Sequence, residues 1–520
     1  MRAPNHLVAS ADQLATSAGV EMFARGGNAV DAAIATNAAI AVVGPHLCGM
    51  GGDLFALVHI DGEVHALNSS GRAGSGADAN RLRSDGHTSM PFRHHVASVT
   101  VPGCVDGWIA LHDRFGSLPL DVLLAPAERL AAGGFPASGP LAAMAAGLDD
   151  ESRVELSEIA GQATRRGRRV RRPGVALALA SIAAGGRKAF YEGIFGEGLI
   201  DLGDGQFTRD DLATAQSEWV EPLTARAFGV DLHTVGPNSQ GYLVLGGSGL
   251  AGRLDIPANP DDAQWAHLLV EAAIAAGRDR PDVLHDRADG IALLADIEGR
   301  LGEIDPERAS GRTSPARDGD TTYLCTAGRA ADGREMAVSL IQSNAAGFGS
   351  HLVEPTTGIN LHNRGMGFSL DAGHPAELGP GRRPPHTLAP AIATEPDGQL
   401  AAVFGTMGGD AQPQILLQIA ARLFHHRESP SRAINAGRWA LRGPETGFDT
   451  WTSDTAPTVM IEGHASDEWV AGLAAKGHQV AETPIWDSTF GHAHAIVRGR
   501  DGIWVGAADP RTIVGTCAGG

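Results

Sequence analysis

One junction in this 520-residue chain has the residue types for nucleophilic catalysis. At Gly319-Asp320-Thr321-Thr322 a polar stretch, Ser310 to Asp320, gives way to the β-patterned Thr321 to Thr326. A threonine hydroxyl is a weak nucleophile at its ordinary pKa and needs an adjacent base. A free α-amine with pKa near about 8 supplies one when the threonine begins a chain. Thr321 reaches that state if its hydroxyl attacks the Asp320 carbonyl, the acyl group shifts from nitrogen to oxygen, and water opens the ester. The junction alone leaves the matter open, because a Thr-Thr pair at a strand start is ordinarily explained by β-propensity.

Other chemistries have weaker signals. The 21 histidines cluster only at His94-His95, His425-His426 and His492-Ala493-His494, and none shows the HExxH spacing that puts two imidazoles on one helix face. No metal site is expected. Gly247 to Gly252 (GSGLAG) matches GxGxxG after an apparent strand at Tyr242 to Leu245. A dinucleotide site also needs βαβ repeats and an acidic residue about 20 positions on. The run therefore reads as a turn opening a packed helix, and no organic cofactor is expected. A GxSxG elbow is missing.

The elements around the junction must hold it in place. Ala29 to Val43 reads as a buried helix capped by Asn28 and ended by Gly44-Pro45. Phe55 to Ile60 and Val64 to Leu67 flank Asp61-Gly62, a tight hairpin turn. From Trp108 to about Asp282 the patterns are mostly helical. Strands then return at Thr321 to Thr326, Met336 to Ser343, Ala389 to Thr394 and Leu400 to Gly405, with helices at Gln412 to His426 and Asp467 to Gly477. Helices before and after consecutive hairpins predict an α+β fold of four layers, αββα, with two stacked antiparallel sheets.

Composition narrows the partners. With 43% hydrophobic and 19% charged residues the chain can bury a large core. Its 41 Lys plus Arg against 60 Asp plus Glu give a net charge of −19, which argues against nucleic acid. The basic run Arg165 to Arg172 reads as a solvated loop. Neither a secretory signal nor an apolar run long enough to cross a bilayer is evident. The four scattered cysteines, Cys48, Cys104, Cys325 and Cys517, fit a reducing compartment, so cytoplasmic residence is expected.

A series of motifs nearly spanning the chain resembles the gamma-glutamyltranspeptidase family of N-terminal-nucleophile hydrolases. The series runs through Gly26-Gly27-Asn28-Ala29-Val30-Asp31-Ala32-Ala33, Cys48-Gly49-Met50-Gly51-Gly52-Asp53 and Ser98-Val99-Thr100-Val101-Pro102-Gly103. It continues with Phe190-Tyr191-Glu192-Gly193, Pro237-Asn238-Ser239-Gln240-Gly241 and Ala508-Asp509-Pro510-Arg511. The resemblance implies self-cleavage between Asp320 and Thr321, with Thr321 as nucleophile and its α-amine as base. Fragments 1–320 and 321–520 would stay associated as one αββα domain, with a homo-oligomer left open. It further implies that Ser343 orients the Thr321 hydroxyl, that Gly408 and Gly409 form the oxyanion hole, and that Arg72 holds a substrate carboxylate.

The departures from the family pattern point to the substrate. Where the family binds an α-ammonium with Asn, Gln and Asp, this chain has Ala345, Arg364 and Gly367, and His386-Thr387 replaces a Ser-Ser pair. An ammonium beside Arg364 would be repelled. The expected substrate is a small amide whose acyl side carries a carboxylate, glutaryl-like, with water as acceptor. A true γ-glutamyl hydrolase or transpeptidase is the alternative, and a non-catalytic scaffold relative is the alternative from another class.

Overall fold

The computed structural model describes residues 1–311, 321–330, 332–442 and 457–520, so the expected cleavage residue Asp320 lies outside the described residues. Asp53–Ile60 (DLFALVHI) is buried along its whole length. A strand covered on both faces loses the alternation of a half-exposed one and reads as a continuous apolar run. That double coverage defines the architecture.

Two seven-stranded sheets stack face to face. The first runs in the order Thr516–Gly519, His6–Ser10, Thr322–Arg329, Glu335–Ser343, Asp53–Ile60, Glu63–Ser69, Glu218–Val220. The second runs Arg2–Ala3, Trp504–Ala508, Ala493–Arg498, Leu400–Thr406, Ala391–Thr394, Val230–Val235, Pro222–Ala227. Every neighbouring pair in these two sheets is antiparallel. Phe55, Tyr323, Ile341, Ile392, Val403 and Trp504 belong to the core between the sheets. The outer face of the first sheet is covered by helices that include Gln13–Ala24, Ala29–Val43 and Pro173–Tyr191. That of the second is covered by Gly241–Ala251, Ala263–Gly277 and Gln412–Ala420. The fold is the four-layer αββα sandwich.

Local sequence explains the elements nearest the site. Asn28 Oδ1 accepts from the Val30 and Asp31 N–H groups while Asp31 accepts from the Asn28 N–H, a reciprocal cap. The helix that follows is buried at every position. Asp61 (φ 55°) and Gly62 (φ 83°) make the hairpin turn between Asp53–Ile60 and Glu63–Ser69.

Three sequence expectations need correction. The mostly helical region from Trp108 to Asp282 also contains strands, among them Glu218–Val220, Pro222–Ala227 and Val230–Val235, which complete one edge of each sheet. Tyr242 to Leu245 is not a strand, and the Gly247 run lies inside the helix Gly241–Ala251 rather than in a turn before it. A Cβ on the adjacent Gly246 would sit 2.8 Å from Ile297, so close packing between helices accounts for glycine there. In the basic run Arg165 to Arg171 the arginines are exposed, but Arg172 is buried, 3.3 Å from Glu158 and donating to the Gly358 carbonyl at 2.6 Å.

The inter-sheet layer sets the stability of the whole sandwich. Ile392→Ala, at a fully buried position there, is expected to cost about 2–5 kcal/mol. Urea unfolding should show a lower midpoint with an unchanged slope.

Candidate active site

The ladder between Thr322–Arg329 and Glu335–Ser343 pairs Thr322 with Gln342, so the residue before the strand, Thr321, faces Ser343. Their hydroxyls lie 3.0 Å apart, both buried. The Ala345 N–H donates to Ser343 Oγ at 2.8 Å, which fixes the serine oxygen between the threonine and the loop beyond the strand. Ala345 itself sits at φ 75°.

A chain of hydrogen bonds runs from that loop to the paired glycines. Asn363 Oδ1 accepts from the Ala346 N–H at 3.0 Å, and the Asn363 N–H donates to the Asn344 carbonyl at 3.2 Å. Next in sequence, Arg364 Nη1 donates to Thr387 Oγ1 at 3.1 Å. Gln240 Nε2 donates to the carbonyls of Thr387 (2.8 Å) and Gly409 (2.9 Å), tying the two segments together. Gly408 (φ 138°) and Gly409 (φ 54°) both occupy backbone conformations that favour glycine, directly after the Leu400–Thr406 strand and before the Gln412–Ala420 helix. A Cβ on Gly405 would meet the Tyr323 ring at 2.2 Å, so this strand lies directly on the one that begins beside Thr321.

Asp53 is the buried hub on the other side. It accepts from the Gly71 N–H at 2.9 Å, the Gly103 N–H at 3.2 Å and His386 Nε2 at 3.1 Å, with His362 Nδ1 3.6 Å away. Burial works against the carboxylate, and the facing His362 and His386 rings with the Gly71 N–H outweigh it, so Asp53 stays ionised. Burial, reinforced by the Arg364 charge, pushes the His386 pKa down to about 3. The ring is neutral at pH 7, with Nε2–H toward Asp53 and Nδ1 accepting from the Leu388 N–H at 3.3 Å. Arg364 is buried as well, and burial lowers its pKa to about 10, against the pull of Asp53 and Asp410. It remains a cation at neutral pH.

Arg72 is placed differently from a closed pocket anchor. Its side chain is 29% exposed, with Nη1 donating to the Ala215 carbonyl at 3.3 Å and Nη2 3.5 Å from Glu218. Arg383 reaches the same Glu218 carboxylate at 3.5 Å. Two guanidinium groups thus face one acid, with Gly71 linking this end to Asp53.

The structure therefore brings Thr321 together with Ser343, and Arg364 with Thr387, and connects both to Gly409. Sequence reasoning missed Asp53, Gln240, His362 and Asn363. Asp53 and Gln240 lay inside quoted motifs, Cys48 to Asp53 and Pro237 to Gly241, so their signal was present without a role.

With this geometry in hand, the relationship to known proteins follows. The gamma-glutamyltranspeptidase family model matches residues 15–518. The chain belongs to the gamma-glutamyltranspeptidase family. It is 35% identical to the oxamate amidohydrolase proenzyme of Klebsiella pneumoniae, over 98% of this chain and 96% of that one. It is equally identical, 35%, to the glutathione hydrolase-like YwrD proenzyme of Bacillus subtilis, over 97% of each. The cephalosporin acylase from Bacillus halodurans superposes with a TM-score of 0.89 at 33% identity, covering 100% of this chain and 96% of that one. This gamma-glutamyltranspeptidase-family chain is thus an amide hydrolase or acyltransferase with the N-terminal-nucleophile hydrolase fold. Among the described residues no helix is long and apolar enough to cross a membrane.

Acid should destabilise this arrangement in a defined window. Burial brings His46, His386 and His494 each to about 3, from 6.5 in the unfolded chain. Between about pH 6.5 and 3 the unfolded state binds more protons, so stability is full above that window and falls as pH drops through it. Urea unfolding from pH 7 to 4 should show this decline, with a shallower slope for His386→Asn.

Proposed function

We propose that the protein is made as a precursor, cuts itself between Asp320 and Thr321, and then hydrolyses small amides whose acyl group carries a carboxylate. The observation that carries this reading is the 3.0 Å contact between the Thr321 and Ser343 hydroxyls, joined by hydrogen bonds to the Gly408-Gly409 turn. After the cut, the Thr321 amine takes the proton of its own hydroxyl, with Ser343 orienting the oxygen. The oxygen attacks the substrate carbonyl, and the N–H groups of Gly408 and Gly409 hold the developing oxyanion. The leaving amine departs with the proton, and water, activated by the same amine, hydrolyses the ester.

Arg72 is assigned to the acyl carboxylate, since a guanidinium fork matches its geometry and Arg383 shares the Glu218 counter-charge. Arg364, with Thr387 and His386, lines the end where an α-ammonium would sit and disfavours it by like charge. The name of the oxamate amidohydrolase relative supports this assignment, because oxamate is an amide with a carboxylate and no ammonium. The two regions, 1–320 and 321–520, should remain together after cleavage. His6–Ser10 and Asp53–Ile60 flank Thr322–Arg329 and Glu335–Ser343 in one sheet, so the ladders cross the cut. Four free cysteines fit a reducing, cytoplasmic setting.

Hydrolysis of a glutaryl anilide should exceed that of the γ-glutamyl anilide in kcat/KM by at least about tenfold, equivalent to about 1.4 kcal/mol. Arg364→Gln should narrow that preference, and Thr321→Ala should stay whole and inactive toward both. A clear preference of the unmutated enzyme for the γ-glutamyl compound would overturn the substrate assignment and leave a glutathione-type hydrolase.

A further inference from the structure

Away from the nucleophile, on the outer helical layer of the second sheet, His267, Glu271 and His478 bring their ligand atoms within 4.8 Å of one another. His267 and Glu271 are four residues apart on the Ala263–Gly277 helix, hence on one face. His478 follows the Asp467–Ala475 helix, which packs on the first. His267 Nδ1 lies 2.8 Å from His478 Nε2, and Glu271 Oε1 lies 3.8 Å from the same Nε2.

The surroundings preset His267 as a ligand, whereas His478 Nε2 is the donor across the 2.8 Å contact and must pass its proton to its own Nδ1 when a cation takes that place. His267 Nε2 is 2.9 Å from the Asp305 carbonyl, which can only accept, so Nε2 carries the proton and Nδ1 keeps its lone pair. An outer hydrogen bond of this kind is what orients a metal-binding imidazole. Glu271 is buried too and has the Ser310 N–H at 3.2–3.3 Å, but no Lys or Arg ion pair among the described residues. The nearby Lys476 instead reaches the Pro306 carbonyl and Glu307. Two nitrogens with one oxygen, all buried or nearly so, suit zinc far better than calcium or magnesium.

We propose that His267 Nδ1, His478 Nε2 and a Glu271 oxygen form a binding site for a zinc-class divalent cation, with water completing the coordination. Edges near about 3.3 Å follow from Zn–N distances of about 2.0–2.1 Å, so binding spreads the two rings slightly and draws the carboxylate in. The ligands come from both sides of the Asp320–Thr321 junction, and Asp305 and Ser310 belong to the segment leading to it. On the cleavage reading above, the ion is therefore a clip between the two fragments; metal binding itself does not depend on that reading.

The test uses chelator-treated full-length protein, both unmutated and as uncut Thr321→Ala, titrated with Zn²⁺ and separately with Co²⁺. Each form should bind one Zn²⁺ per chain, and Co²⁺ should give the absorption of a four-coordinate nitrogen and oxygen site. His267→Gln and Glu271→Gln should each weaken binding by at least about tenfold while amide hydrolysis continues. Zn²⁺ should also raise the urea concentration at which the two fragments separate, in the unmutated protein but not in Glu271→Gln. Should either variant fail to fold, the other variant and the cobalt spectrum still decide. No stoichiometric metal in either form, or unchanged affinity in the variants, would overturn the site. Metal bound without any effect on fragment separation would overturn the clip.

Discussion

A slip of one residue between Thr322–Arg329 and Glu335–Ser343 would turn every side chain to the opposite face and take Ser343 away from Thr321. Much of the fold serves to prevent that slip. The two strands lie inside a seven-stranded sheet, paired outward to His6–Ser10 and Asp53–Ile60, so three ladders rather than one fix the register. Helices press on one face and a second sheet on the other, and both faces are buried. Register is most strongly specified where burial leaves no alternative.

The same central placement makes a broken backbone tolerable at this point. Residues 1–320 and 321–520 both contribute strands to each sheet, so neither region has a complete sheet of its own. Loss of one peptide bond ahead of Thr321 removes no ladder hydrogen bond between named strands. The site can thus use an element that only cleavage supplies, a free amine, without dissolving the framework that positions it.

How much of this was legible in the sequence depended on whether the determining residues were near one another in the chain. The Asn28 cap, the Asp61-Gly62 turn and the Thr322–Arg329 hairpin are set by residues within a few positions, and they read correctly. The hub at Asp53 did not read, because its His386 partner is 333 positions away and no spacing links the two motifs that hold them. The helix Gly241–Ala251 was mistaken for a strand and a turn because its Gly246 answers to a neighbouring helix, at Ile297, rather than to local backbone needs. The strands from Glu218 to Val235 were overlooked as edge elements inside a mainly helical stretch. Similarly, the His267, Glu271 and His478 group joins one helix to a residue beyond another, 211 positions away, and no spacing rule finds it.

On the proposed reading, Arg364 is a substitution in a fixed framework that changes which substrates fit. The neighbouring Asn363 side chain accepts from the Ala346 N–H, and the Arg364 guanidinium donates to Thr387 Oγ1, so the cation is held in place. Retaining a buried charge there has a cost in desolvation, visible in its lowered pKa, which the nearby Asp53 and Asp410 partly offset.

The central claim is that the reacting group is the side chain of a newly exposed chain start. Sequencing the amino terminus of the smaller polypeptide in active enzyme tests it most directly, together with the mass of that polypeptide trapped during turnover. The account predicts a first residue Thr321 and an acyl adduct on it. An active enzyme consisting of one unbroken polypeptide, or an adduct on any other residue, would contradict it.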